Sequence, residues 1–186
     1  MILTESIIRQ ASREAKEQRI LISESTMHFD DAGNYDLFIS HSFRDKELIS
    51  GLYHLFNKAG YKVYIDWIDD KDLDRSKVTS DTAALIKRRI WASTGTTYVS
   101  TSNSTSSKWC PWELGVADGM KGKVCILPVM ESSFKGQEYL GLYPYLEYAK
   151  VQGKEKQEFW VYDQVDRSKY VILRDWLKGK SPYIHK

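Results

Sequence analysis

Cysteine is scarce in this chain: only Cys110 and Cys125 occur, far apart, with no further cysteine and no nearby histidine to complete a ligand set. No metal site is expected, and the two read as reduced thiols of a cytoplasmic protein. Long apolar runs are missing too. The longest, residues 124–130, falls far short of the roughly twenty residues that span a bilayer and contains Pro128. No membrane span is expected. The first residues carry Glu5, Glu14 and Glu17 among apolar positions, which is unlike a secretory leader. Charge of one sign is not in excess either. The formal net charge is +2 with 28% charged residues, which indicates neither disorder nor a basic nucleic-acid binder. Absent as well are GxGxxG after a strand, a Walker A loop, HExxH and GxSxG. The usual phosphate cradles and triads are thereby excluded.

What remains is an ordinary globular composition, 42% hydrophobic over 186 residues, enough for one domain with an appendage. Residues 3–22 place Leu3, Ile7, Ile8, Ala11, Ala15 and Ile20 near helical spacing with charges of both signs between them. That predicts an amphipathic helix. Its mixed polar face favours packing on protein over an anionic lipid surface. Asp30, Asp31, Gly33 and Asn34 then read as a linker, which divides the chain into 1–33 and a main domain over 34–186 with an extension after about 130.

From residue 35 onward, short apolar runs alternate with helical stretches, the pattern of strands joined by crossovers into a parallel sheet. The expected strands are 35–40, with Leu37, Phe38 and Ile39 at its centre, then 61–67, 96–100 and 124–129. Helices are expected over 45–59, ended by Gly60, over 82–89, and from Pro111 to about Met120. Residues 100–107 read as a surface loop by composition. Beyond 130 the pattern weakens: 159–162 suggests a fifth strand, 170–177 a last helix, and the aromatic segment 139–148 a loop or short helix.

Two weak motif matches fall away. Asp70, Asp72 and Asp74 occupy the first, third and fifth positions of a calcium loop, but Arg75 stands where glycine is required and Asp81 where Glu is. A solvated acidic loop is the better reading. Gly119 to Gly122 matches GxxG of RNA-binding KH domains, yet it lies at a helix end, where glycine has its own reason to be.

A third motif is far more specific. In Tyr35-Asp-Leu-Phe-Ile-Ser-His-Ser-Phe-Arg-Asp45 a buried strand ends in Ser-His and passes through a polar turn into a helix. This segment resembles the first box of the Toll/interleukin receptor (TIR) family. The resemblance continues through Gly60-Tyr-Lys-Val-Tyr-Ile-Asp66 and Ser106-Ser-Lys-Trp-Cys-Pro-Trp-Glu-Leu114, and covers roughly residues 35–130. It implies a flavodoxin-like doubly wound parallel sheet of about five strands with helices on both faces, preceded here by the N-terminal helix. Trp109 and Glu113 form the WxxxE arrangement of TIR domains that consume NAD. By that likeness Glu113 is the catalytic carboxylate, Trp109 its flanking tryptophan, Ser40, His41 and Phe43 line the site, and Asp66 and Trp67 form another wall.

The chemistry so implied asks for little. Nicotinamide is attached to ribose as a cationic pyridinium and departs neutral, so it needs no acid. One carboxylate suffices where ordinary glycosidases use a pair, because Glu113 would stabilise the oxocarbenium-like charge as the bond breaks. Trp109 and Phe43 would exclude water and stack on a ring. A structural alternative stands beside this. With Pro111 first in its helix, Glu113 would be third, where a carboxylate stabilises helix amides without catalysis. Trp109 would then be a staple into the core, and a local hydrogen bond explains His41 as well as substrate contact does.

The resemblance further implies release of nicotinamide with formation of ADP-ribose or a cyclic isomer. NAD is the substrate and no cofactor is called for. Bacterial relatives of this compact size serve antiviral defence of the Thoeris type, in which the nucleotide product signals to a second effector. Self-association through TIR–TIR contacts completes the pocket in many such enzymes. The alternative is a non-enzymatic TIR scaffold. Scaffolds arrive attached to receptors or death domains, which this sequence does not show, and they do not require Trp109 and Glu113.

Overall fold

Alternation along the first strand sets the plan of the molecule. In the computed structural model, which describes residues 3–17, 35–69, 79–129, 138–151 and 153–185, strand β1 runs Tyr35–Ser40. It is buried on both faces: Leu37 and Ile39 enter one core, Phe38 the other. Successive strand residues point to opposite faces, so Ser40 falls on the Phe38 side. The first core lies beneath helix α1 (Glu5–Glu17) and helix α2 (Lys46–Ala59). The second lies beneath α4 (Ser80–Ala92) and α5 (Trp109–Lys121). Between α2 and α4 come the short strand β2 (Val63–Tyr64) and a single helical turn, α3 (Asp66–Asp69). Strands β3 (Ser93–Ser100) and β4 (Val124–Pro128) complete the centre.

The remaining elements are β5 (Tyr145–Lys150), β6 (Gln157–Tyr162), β7 (Lys169–Ile172), α6 (Leu173–Leu177) and β8 (Tyr183–Ile184). One eight-stranded sheet results, in the order β2-β1-β3-β4-β5-β6-β7-β8. Strands β1 to β5 pair in parallel and β5 to β8 antiparallel. The parallel part is the expected doubly wound sheet of five strands with helices on both faces, and its order 2-1-3-4-5 reverses direction between β1 and β3. In such sheets ligands bind beyond the carboxyl ends of the strands at that reversal.

Several elements differ from the sequence expectation. The fifth parallel strand is β5, which begins in the aromatic segment that reads as loop or short helix from sequence and runs two residues past it. Leu146 and Tyr148 enter the core in strand alternation, which the run of tyrosines hides. Residues 159–162 are indeed a strand, but the sixth, antiparallel to β5. Within 170–177 the first residues pair with β6, and helix begins only at Leu173, in keeping with the β-forming Tyr170-Val171-Ile172. Strand pairing in 61–67 is confined to Val63–Tyr64, since Asp66 already starts a helical turn. Residues 70–74, with the acidic loop, and the linker at 30–34 lie outside the described residues.

The N-terminal helix packs on the domain itself. Leu3, Ile8 and Ala11 join the first core, and Leu3 bridges Val129 beyond β4. Gly51 of α2 permits this approach, because a Cβ there would stand 2.2 Å from the Ile8 carbonyl oxygen. At the other end of α2, Gly60 closes the helix with φ of 85°, a left-handed conformation that glycine adopts without steric cost. No helix among the described residues is long and apolar enough to cross a membrane.

Candidate active site

Glu113 is fully buried, and Ser40 is one of its partners. The Ser40 hydroxyl donates to Glu113 Oε2 at 2.6 Å, and both residues are 0% exposed. A carboxyl group out of water is costly unless hydrogen-bonded. The pair forms because β1 ends on the face that α5 covers. It lies at the carboxyl end of β1, beside β3, where the strand order reverses.

The capping alternative for Glu113 depends on Pro111 opening the helix. In the structure α5 begins two residues earlier, at Trp109, and no acid falls in its first turn. The cap is instead Ser107, whose hydroxyl accepts from the amides of Trp109 and Cys110 at 3.3 and 3.2 Å. Glu113 is thus a full turn inside the helix and aimed at a different element. Trp109 is only 7% exposed and belongs to the second core, edge-on to Trp112 with centroids 5.4 Å apart.

His41 and Asp66 form a second buried pair. His41 Nδ1 lies 2.9 Å from the Ile39 carbonyl oxygen, which only accepts, so Nδ1 carries a proton. Its Nε2 lies 3.4 Å from Asp66 Oδ1, an oxygen that accepts from the Trp67 amide at 2.8 Å. His41 thus bonds back to its own strand and stands beside Asp66 at the start of α3. Phe43 stands apart from these buried groups. It is 60% exposed, with the Lys46 ammonium 4.1 Å from its ring centroid and 5.6 Å from that of half-buried Trp67. Lys46 therefore bridges two aromatic faces by cation–π attraction.

Some participants are not legible in the sequence. Asp45, 5% exposed, accepts from Thr101 Oγ1 and from Asn103 Nδ2, each at 2.6 Å. Thr101 and Ser104 bond each other reciprocally: the Ser104 hydroxyl accepts from the Thr101 amide at 3.0 Å, and the Thr101 hydroxyl from the Ser104 amide at 3.1 Å. The tract 100–107 is thus only partly the expected surface loop, with Ser102, Thr105 and Ser106 exposed. Ser100, Thr101 and Ser104 are buried, and residues 104–106 form a 3-10 turn. Ser and Thr bond nearby backbone as readily as they face water, which composition alone does not reveal. Beside this tract, burial pushes the Tyr98 phenol up to about 12. No group of three or more His, Cys, Asp or Glu able to hold a metal ion occurs among the described residues.

With this geometry in place, comparison with known proteins is informative. Residues 37–172 match the family model described as TIR domain. A protein of Bacillus cereus (strain MSX-D12), named probable 3' cyclic ADP-D-ribose synthase ThsB', is 41% identical over 162 residues, which cover 85% of this chain and 83% of that protein. A protein of Cytobacillus dafuensis, named putative cyclic ADP-D-ribose synthase TIR2, is 41% identical over 81 residues, 43% of this chain and 21% of its own length. Among solved structures, the TIR domain of the Toll-related receptor TRR-2 from Hydra magnipapillata is 20% identical, covers 61% of this chain and 83% of that one, and superposes with a TM-score of 0.45. The family match spans most of the chain, from the middle of β1 to the end of β7, and the chain belongs to the TIR domain family.

Proposed function

We propose that the chain cleaves the nicotinamide–ribose bond of NAD and closes the remaining ADP-ribose into a cyclic isomer, with Glu113 as the essential carboxylate. The observation that carries this reading is a fully buried Glu113 held by Ser40 at the strand-order reversal. The names of the Bacillus and Cytobacillus relatives support the cyclic product.

In this mechanism the bond between ribose C1' and the pyridinium nitrogen breaks, and its electron pair leaves with neutral nicotinamide. The positive charge that develops on the ribose is stabilised by the Glu113 carboxylate, a preorganised group in a water-poor site. Ser40 holds Oε2 of that carboxylate in place. A hydroxyl of the same ADP-ribose then attacks C1' and releases its proton to solvent, which closes the ring. Attack by water would instead give open ADP-ribose, as a plain NAD nucleosidase does. Ser40, His41, Phe43, Asp66, Trp67 and Trp109 are the proposed substrate-binding residues. Phe43 supplies an exposed ring for stacking. We further assign the product to antiviral signalling through a second effector, and expect self-association to complete the pocket.

The test incubates purified protein with NAD and follows nicotinamide and nucleotide products by chromatography, beginning with the isomer named for the Bacillus relative. Wild type should release nicotinamide at a rate rising more than linearly with protein concentration, and Glu113→Ala should lose about 10²–10³-fold in turnover at matched folding. A wild type inert at high concentration, or a fully active Glu113→Ala, overturns the reading and favours a scaffold.

A further inference from the structure

Asp45 occupies the N-cap position of α2, yet its side chain makes no cap hydrogen bond to that helix. This is unusual, because an aspartate there normally accepts from its own helix amides. Its two oxygens turn instead to the loop after β3: Oδ2 accepts from the Thr101 hydroxyl and Oδ1 from the Asn103 amide. The carboxylate is nearly excluded from water, so both bonds are needed to offset its desolvation.

The connectivity gives those bonds a purpose. Ser40 and Asp45 are joined by one short turn, in which the Asp45 amide donates to the Ser42 carbonyl. Thr101 and Glu113 are joined by the 3-10 turn, the Ser107 cap and the first turns of α5. A closed ring results, with Ser40···Glu113 as one tie and Asp45···Thr101/Asn103 as the other. We infer that Asp45, with Thr101 and Asn103, is a positioning device that sets the approach of α5 to β1 and so holds Glu113 in working geometry. It touches no reacting atom. The role deepens the proposed NAD cleavage and rests on it. Misplacing a catalytic group by about 1 Å costs on the order of 10²-fold in rate, so the tie should be felt in kcat and little in KM.

An exchange of partners tests this. Asn103→Asp sets two carboxylates against each other and should lower kcat about 10- to 100-fold, with KM moved less than about threefold. Thr101→Val replaces the hydroxyl by a methyl, removing both the bond to Asp45 and the acceptor of the Ser104 amide, and should act in the same direction. The double variant Asp45→Asn with Asn103→Asp restores both bonds, because the side-chain amide placed at position 45 accepts from Thr101 and donates to the carboxylate placed at position 103. It should recover turnover to within about threefold of wild type. Thermal melting is recorded for each variant, and amide hydrogen exchange is followed at Trp109 and Cys110. Exchange there should quicken in the single variants and slow again in the double one. Wild-type turnover in Asn103→Asp, or a double variant no better than that single one, overturns the proposal. If wild type releases no nicotinamide, the NAD reading fails instead, and the exchange rates still decide whether the tie holds α5.

Discussion

Replacing Glu113 by Gln separates a carboxylate kept for chemistry from one kept for the fold. Glutamine preserves the volume and an oxygen that accepts from Ser40, and it removes a charge with 0% exposure. A buried carboxylate carries a desolvation cost that a neutral amide of the same volume largely avoids. Glu113→Gln should therefore melt within about 3 °C of wild type or above it, given about 2–4 °C per kcal/mol at this size. Ser40→Ala does the opposite. It removes a donor 2.6 Å from the carboxylate, a bond to a charged group is worth about 1.5–3 kcal/mol, and the expected fall is about 3–12 °C. Turnover should rank the other way, with about 10²–10³-fold lost in Glu113→Gln. Ser40→Ala should lose only about tenfold, the equivalent of roughly 1.4 kcal/mol. Differential scanning calorimetry and nicotinamide release measure the two rankings. The reasoning is refuted if Glu113→Gln melts as low as Ser40→Ala and its activity follows only the folded fraction.

Three further outcomes are expected. Gly51→Ala should cost about 1–3 kcal/mol by overpacking, since the Ile8 carbonyl occupies the place of the new methyl, and urea denaturation should show a lower midpoint; an unchanged midpoint would mean that α1 does not pack there. Burial pushes the Cys125 thiol up to about 12, so in a Cys110→Ala background iodoacetamide at pH 8 should label it only after unfolding. Tyr98 is held neutral by burial, with its folded value raised to about 12 from 10.0. A phenol whose folded value lies above its unfolded one contributes stability that is complete below pH 10 and is lost as pH rises toward 12. Chemical denaturation should thus weaken across that interval, and Tyr98→Phe should flatten the loss.

The elements legible in the sequence are those whose burial writes a local pattern. Leu37-Phe38-Ile39 announces a central strand because both faces are covered, and Gly60 announces a helix end because its φ is positive. The tyrosines of 139–148 conceal β5, since aromatic residues suit half-buried strands and loops alike and only pairing with β4 and β6 decides. The start of α5 departs from the sequence reading for a related reason. Pro111 is tolerated anywhere in a first turn that lacks amide partners, and the actual cap, Ser107, looks like one more polar residue of a loop.

Sequence alone therefore determined the alternation of strands and helices, the family likeness, and Glu113 as the carboxylate of interest, because periodicity and short motifs are properties of neighbouring residues. Only the tertiary structure decided what Glu113 faces. Its partner Ser40 lies 73 residues away, and Asp45 lies 56 residues from Thr101. No local pattern encodes such ties. They exist because parallel strands in the order 2-1-3 bring the ends of β1 and β3 side by side and lay α5 across the face to which Ser40 points.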